Sequence, residues 1–177
     1  MISLDSSQIL SEYLKTSYFA VDGLWFVLME KRRSLREALE VDEKVWKILP
    51  KIQIHKVKEL LHITSGGLKN FLRALKVKLE AEGYEYEAKM KDCSQLDLLI
   101  QNCPWYARVK KSHREHIPIS DICAIEFESW IGEFKEGWKV TFDSLLCAGN
   151  SRCHLIFAQP TGEAKQREMD SPGTKDD

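Results

Sequence analysis

Apolar residues recur along the first half of this chain at helical spacing and along much of the second half at every other position. Behind Ser6 and Ser7, which read as a helix cap, Ile9, Leu10, Tyr13, Leu14, Tyr18, Val21, Leu24, Trp25 and Leu28 recur at three- and four-residue steps. That is the signature of a long amphipathic helix. Ser34 with Glu37 three positions on is a capping-box pair, and Leu35, Ala38, Leu39, Val45, Trp46 and Leu49 carry a second helix predicted to stop at Pro50. Ile52, Ile54, Val57, Leu60 and Leu61 predict a third. Ser65, Gly66 and Gly67 interrupt the pattern before Leu68, Phe71, Leu72, Leu75 and Leu79 resume it in a fourth, which ends at Gly83.

After Gly83 the period falls from about 3.6 to 2. Tyr84 and Tyr86 alternate with Glu85 and Glu87, and Leu96, Leu98 and Ile100 alternate with Asp97, Leu99 and Gln101, so a hairpin is predicted with its turn near Lys91 and Asp92. Pro104 opens a helix behind Cys103, and Ile119, Ile122, Cys123, Phe127, Trp130, Ile131 and Phe134 form the face of another that closes near Gly137. Val140, Phe142 and Ser144 then alternate again, and beyond Gly149 and Asn150 the run 153–157 reads as the returning strand of a second hairpin. The predicted class is α+β, with four N-terminal helices packed on an antiparallel sheet made of two hairpins joined by a helical crossover. One domain is expected over 1–159, helical in 1–82 and mixed in 83–159. Residues 160–177 have almost no apolar content to offset ordering entropy and are expected to be a disordered tail.

Charge narrows the range of partners. With 26 basic and 27 acidic residues the net charge is -1, so nothing global draws the chain to nucleic acid or anionic lipid. The apolar run 18–29 is interrupted by Asp22 and is too short to span a bilayer, and no signal-like segment precedes it. A cytosolic location without membrane contact is expected. No repeat of fixed length and no glycine-rich phosphate loop is visible. Five cysteines is an odd number, and in a reducing compartment they would be free, metal-bound or redox-active rather than paired.

Four of the five sit beside signals that end or bury an element. Cys103 would cap the helix begun by Pro104, where free backbone N–H groups stabilise a thiolate. Cys123 lies on an apolar helix face, where core packing is the simpler account, with Glu126 one turn on. Cys147 and Cys153 flank a Gly-Asn turn as C-x5-C, a looser spacing than the C-x-x-C knuckle. Together with His116 or His113, these thiols would complete a tetrahedral zinc site, or less readily hold an iron–sulfur cluster. His55 and His62 read as solvated surface, His154 faces away from Cys153 along a strand, and Cys93 is assigned no role. In an alternative reading Cys103 is the nucleophile of a hydrolase or thiol-transfer enzyme, activated by its helix N-terminus and a nearby histidine and oriented by Asp22 or Glu126. In a third, the amphipathic N-terminal helices make a dimerising interaction module.

Arg108, Lys110, Lys111, His113, Arg114 and His116 form a basic run just past Trp105 and Tyr106. A solvated helix end explains it; so would a site for a small anionic or aromatic molecule, and Trp25, Trp105, Arg108 and Arg114 are the expected ligand-binding residues. Asp22 stands inside an apolar run, and a carboxylate there must be paired or line a cavity.

The run at 20–26 (AVDGLWF), Glu30, the Ala38-Leu39-Glu40 segment on to Val45-Trp46, and Cys103-Pro104 resemble an uncharacterised bacterial and archaeal family near the L-2-amino-thiazoline-4-carboxylate hydrolase-like proteins. The distal half, from Cys147 to Cys153 and into the last strand, resembles the end of the 4-vinyl reductase-type domain, whose hairpin helps bind zinc in some members; Asn150 stands where that pattern has aspartate. The resemblances imply a hydrolase-like relative and a small-molecule pocket between helices and sheet with the cysteines at its edge.

Overall fold

Asp5, rather than Ser6 or Ser7, starts the first helix. Its carboxylate accepts from Gln8 N at 2.8 Å while Gln8 Oε1 accepts from Asp5 N at 3.1 Å, a reciprocal box that satisfies two otherwise free donors. The computed structural model describes residues 5–92, 94–135 and 137–159; Cys93 and the segment 160–177 lie outside them. The helices are α1 (Ser6–Arg32), α2 (Leu35–Leu60), α3 (Leu68–Glu82), α4 (Pro104–Lys111) and α5 (Ile119–Gly132), and the strands are β1 (Glu85–Lys91), β2 (Gln95–Asn102), β3 (Lys139–Ser144) and β4 (Cys153–Ala158). A short 3-10 turn, Leu146–Ala148, precedes β4.

The α+β class and the two hairpins are as the alternation predicts. The helix count is not: three helices precede the sheet rather than four, because α2 runs unbroken through Pro50. Proline inside a helix removes a hydrogen bond and crowds the preceding turn, at a cost of about 3 kcal/mol. Here the ring is fully buried and continues a stripe at four-residue steps, Ala38, Asp42, Trp46, Pro50 and Ile54, so core packing offsets that cost. Ser34 caps α2 as expected, accepting from Glu37 N at 3.1 Å.

The sheet is antiparallel throughout, in the order β1-β2-β4-β3. Its inner face is set by register. Leu96 lies opposite Phe157 and Leu98 opposite Leu155, while Val140 and Phe142 sit across from those same two β4 residues on the far side. This face packs on α3 through Phe71, Leu75 and Leu79 and on α5 through Phe127, Trp130 and Ile131. Alternation puts Asp97 and His154 on the other face, where His154 Nε2 is 2.9 Å from Asp97 and Nδ1 is 3.1 Å from Asp143.

The turn before α3 is docked on the end of α5: Gly67 N donates to Phe134 O at 2.6 Å, and a Cβ added at Gly66 would lie 2.1 Å from that same oxygen. Only glycine fits at 66. Gly83 closes α3 in the left-handed region at φ 83°. Urea unfolding of Gly66→Ala is expected to show a loss of about 1–3 kcal/mol from the forced backbone shift. Gly23→Ala, inside α1 where an added Cβ meets nothing within 4 Å, is expected to be neutral or to gain up to about 1 kcal/mol.

Candidate functional site

Phe19 and Phe26, two turns apart, are the buried residues of α1. Both line a cavity of about 360 Å³, closed by Asp42 and Trp46 from α2, Trp105 and Arg108 from α4, and Ile122, Cys123 and Glu126 from α5. Asp22 joins them from α1 and Tyr84 from the start of the sheet. Aromatic and aliphatic side chains make up most of the wall. Trp105 packs edge-on against Phe19 at 4.5 Å, Trp46 at 5.1 Å and Tyr18 at 5.6 Å. Its indole N–H donates to Glu82 Oε2 at 2.8 Å, which fixes the ring.

Behind that wall lies a buried charge cluster. Lys78 Nζ is 2.8 Å from Glu82 and 3.0 Å from Glu126 Oε1. The second contact has ion-pair distance without hydrogen-bond alignment, so Glu126 Oε1 is left without a hydrogen bond. Burial alone would lower Lys78, but Glu126 and Glu82 overrule it and hold the ammonium charged. Burial raises Glu126, and Lys78 only partly opposes this. One cation thus serves two carboxyls.

The arginines at the cavity are engaged. The Arg108 guanidinium stacks 3.6 Å from the Phe19 ring centre and donates to Pro104 O at 2.9 Å, and Arg114 pairs with Glu30. Asp22 and Asp42 have no such cation among the described residues. Asp42 is only 7% exposed, and its Oδ1 has no hydrogen-bond partner there. Burial raises Asp22 to about 6; burial and then the charge of Asp22 raise Asp42 to about 7.

The thiols gather in one region without forming a centre. Cys103 is the N-cap of α4, as expected, and its sulfur accepts from Tyr106 N at 3.5 Å. Cys153 opens β4 and accepts from Leu146 N at 3.2 Å, Cys147 falls in the 3-10 turn rather than at a strand end, and Cys123 lines the cavity. Cys123 is close enough to the other three for their charges to act on it. Yet all four are free thiols, and no group of three or more His, Cys, Asp or Glu side chains that could hold a metal ion occurs among the described residues. The metal-binding reading is therefore corrected. His113 and His116 are exposed on the α4–α5 loop, whereas Cys103 is 8% exposed. The thiolate expected at Cys103 is reversed for the same reason: burial raises the thiol and outweighs the backbone N–H groups of Tyr106 and Trp105.

Of the other expected residues, Asp22, Trp105, Arg108, Arg114 and Glu126 meet at the cavity, while Trp25 lies outside it against Phe26. Asp42, Lys78 and Glu82 were not expected. Their signal was present: Asp42 interrupts an apolar stripe at four-residue spacing, as Lys78 interrupts the face of α3.

A family model described as a family of unknown function (DUF6125) matches residues 3–149. No curated protein matches. The fold is similar to the crystal structure of a trafficking protein particle complex subunit 3 from Naegleria fowleri covalently bound to palmitic acid, at 14% identity and a TM-score of 0.54, covering 86% of this chain and 96% of that one. The expectation of a hydrolase-like relative is not met by that likeness, which is to a subunit of a complex.

The raised carboxyls give a pH signature. Asp22 and Asp42 bind their protons more tightly folded than unfolded, where the value is about 3.9. Their contribution is therefore fully present below pH ~4 and is lost as pH rises through about 6 and about 7. Between pH 5 and pH 8, urea unfolding of Asp42→Asn is expected to show a fall in stability smaller than that of the unmodified chain by roughly 1–3 kcal/mol.

Proposed function

The chain belongs to that family of unknown function, and we propose that it is an interaction module that pairs with a second copy of itself through the outer face of α1. The observation that carries this is a seam of exposed apolar residues. Leu10, Leu14, Val21, Leu24 and Leu28 follow the alternating four- and three-residue steps of a coiled-coil seam, with Ser17 at the one polar position. The five apolar side chains are each more than half exposed, from Leu14 at 56% to Val21 at 66%. Water contact of this extent on one continuous stripe marks a docking surface, and each side chain contributes about 1.5–3 kcal/mol when fully covered.

Antiparallel self-pairing suits the charges. Asp5 stands at one end of α1 and Lys31 and Arg32 at the other, so a two-fold axis brings opposite charges together and opposes the two helix dipoles. The solved subunit with this fold comes from a multiprotein complex, which supports an assembly role. Among the described residues no helix is long and apolar enough to cross a membrane.

In sedimentation velocity the protein is expected at twice the 20.5 kDa chain mass. Leu10→Glu with Val21→Glu should return it to one chain mass with unchanged circular dichroism, since both positions are exposed in the single chain. A monomer at tens of micromolar, or a dimer indifferent to both glutamates, would sink the proposal.

A second reading concerns the cavity: it holds an alkyl chain. Its lining is largely aromatic and aliphatic, and the solved subunit of this fold is covalently bound to palmitic acid. Each methylene moved from water into such a site contributes about 0.8 kcal/mol. Decanol is expected to quench tryptophan fluorescence saturably and to raise Tm, and Cys123→Phe, which fills the cavity, to abolish both effects.

A further inference from the structure

This inference rests on the second reading above, that the cavity takes an alkyl chain, and concerns what the chain must carry at its head. The charged side chains at the cavity differ in what already engages them. Arg108 and Arg114 are occupied by Phe19, Pro104 O and Glu30. Glu126 has its countercharge in Lys78, although its Oε1 takes no hydrogen bond. Without a cation among the described residues remain two carboxyls on facing helices, Asp22 of α1 beside the Trp25 indole and Asp42 of α2 beside that of Trp46, near enough for the charge of one to act on the other. Their cavity-side neighbours are Phe19, Phe26 and Trp46.

Asp42 is the decisive group. More than nine-tenths of it is buried, it lines the cavity, and its Oδ1 finds no donor among the described residues. A buried carboxylate oxygen left unpaired costs folding free energy unless something supplies a donor. Water or a neutral hydroxyl supplies a hydrogen bond without charge. A protonated amine supplies up to three N–H donors and the positive charge that two adjacent carboxyls lack. A carboxylate headgroup would instead add a third negative charge beside them.

We propose that the cavity selects a primary alkylamine, its chain lying among Phe19, Phe26, Trp46 and Trp105 and its ammonium held between Asp22 and Asp42. Ligand and site thereby match in both parts: an apolar body against an aromatic and aliphatic wall, and a cation where the two carboxyls lack one.

The test compares three probes of equal chain length on the full chain at pH 8, below their micelle-forming concentrations: decylamine, decanol and decanoate, titrated by tryptophan fluorescence and calorimetry. Decylamine is expected to bind at least about tenfold more tightly than decanol, and decanoate more weakly than decanol. Asp42→Asn should cut the preference for amine over alcohol to about threefold or less, and Asp22→Asn should act in the same direction. If decanol binds and the amine shows no advantage, or if the advantage survives both asparagines, the headgroup proposal falls and the alkyl reading stands. If none of the three binds, both fall. The comparison among probes on the unmodified protein needs no variant to fold.

Discussion

A single ammonium group, removed from water, ties α3 to α5 and, through Glu82, to α4. Lys78 projects from α3 and is met by Glu82 one turn away and by Glu126 from α5, with Tyr84 and Phe127 rings around it. An ion pair placed this deep adds little net stability compared with apolar residues of the same size, yet removing one partner costs about 3–5 kcal/mol because the other charge is left stranded. The consequence is positional. The pair fixes the phase of α3 against α5, and Glu82, held by Lys78, in turn accepts the Trp105 indole N–H and seats α4. Through Trp105 that chain of contacts reaches the wall of the cavity.

The same burial that orders these groups quiets the thiols. Each of the four described cysteines sits where removal from water raises the thiol above its ordinary range, to about 11 for Cys153. The helix N-terminus at Cys103 pulls the other way, but only two backbone N–H groups act on the sulfur while the surrounding core excludes solvent. Thiols that stay protonated at neutral pH behave as small apolar side chains. Their convergence therefore reads as core packing at the junction of α4, α5 and the second hairpin.

Period carried most of the fold. The change from helical spacing to alternation at Gly83, the capping pair at Ser34 and the proline after Cys103 all mark boundaries that the structure keeps. Pro50 failed as a boundary because sequence shows the missing N–H but not the burial of the ring. For the cavity, Asp22 was legible as a carboxylate in an apolar run. Asp42 and Lys78 obeyed the same rule and were passed over because each sits among charged neighbours along the chain, and only the helical projection separates Asp42 from Glu40 and Glu43. The thiols misled for the opposite reason. Spacing at element ends brought them to one region, but nothing in spacing reports whether sulfurs approach to bonding distance or pack as neighbours.

The first helix joins the outside of the molecule to its interior. Its fully buried residues, Phe19 and Phe26, are two turns apart, and its exposed seam repeats at every turn, so α1 carries apolar side chains both toward the core and toward solvent. A helix with an apolar stripe left in water gains further stability when a partner covers it. Phe19, Asp22 and Phe26 on this helix also form one side of the cavity. In the proposed dimer, covering the seam would steady the wall on which an interior ligand would rest, and a ligand filling the space between α1 and α2 would steady the surface offered to the partner. Each event would then lower the ordering cost of the other, a positive coupling carried by one shared helix rather than by a change of shape.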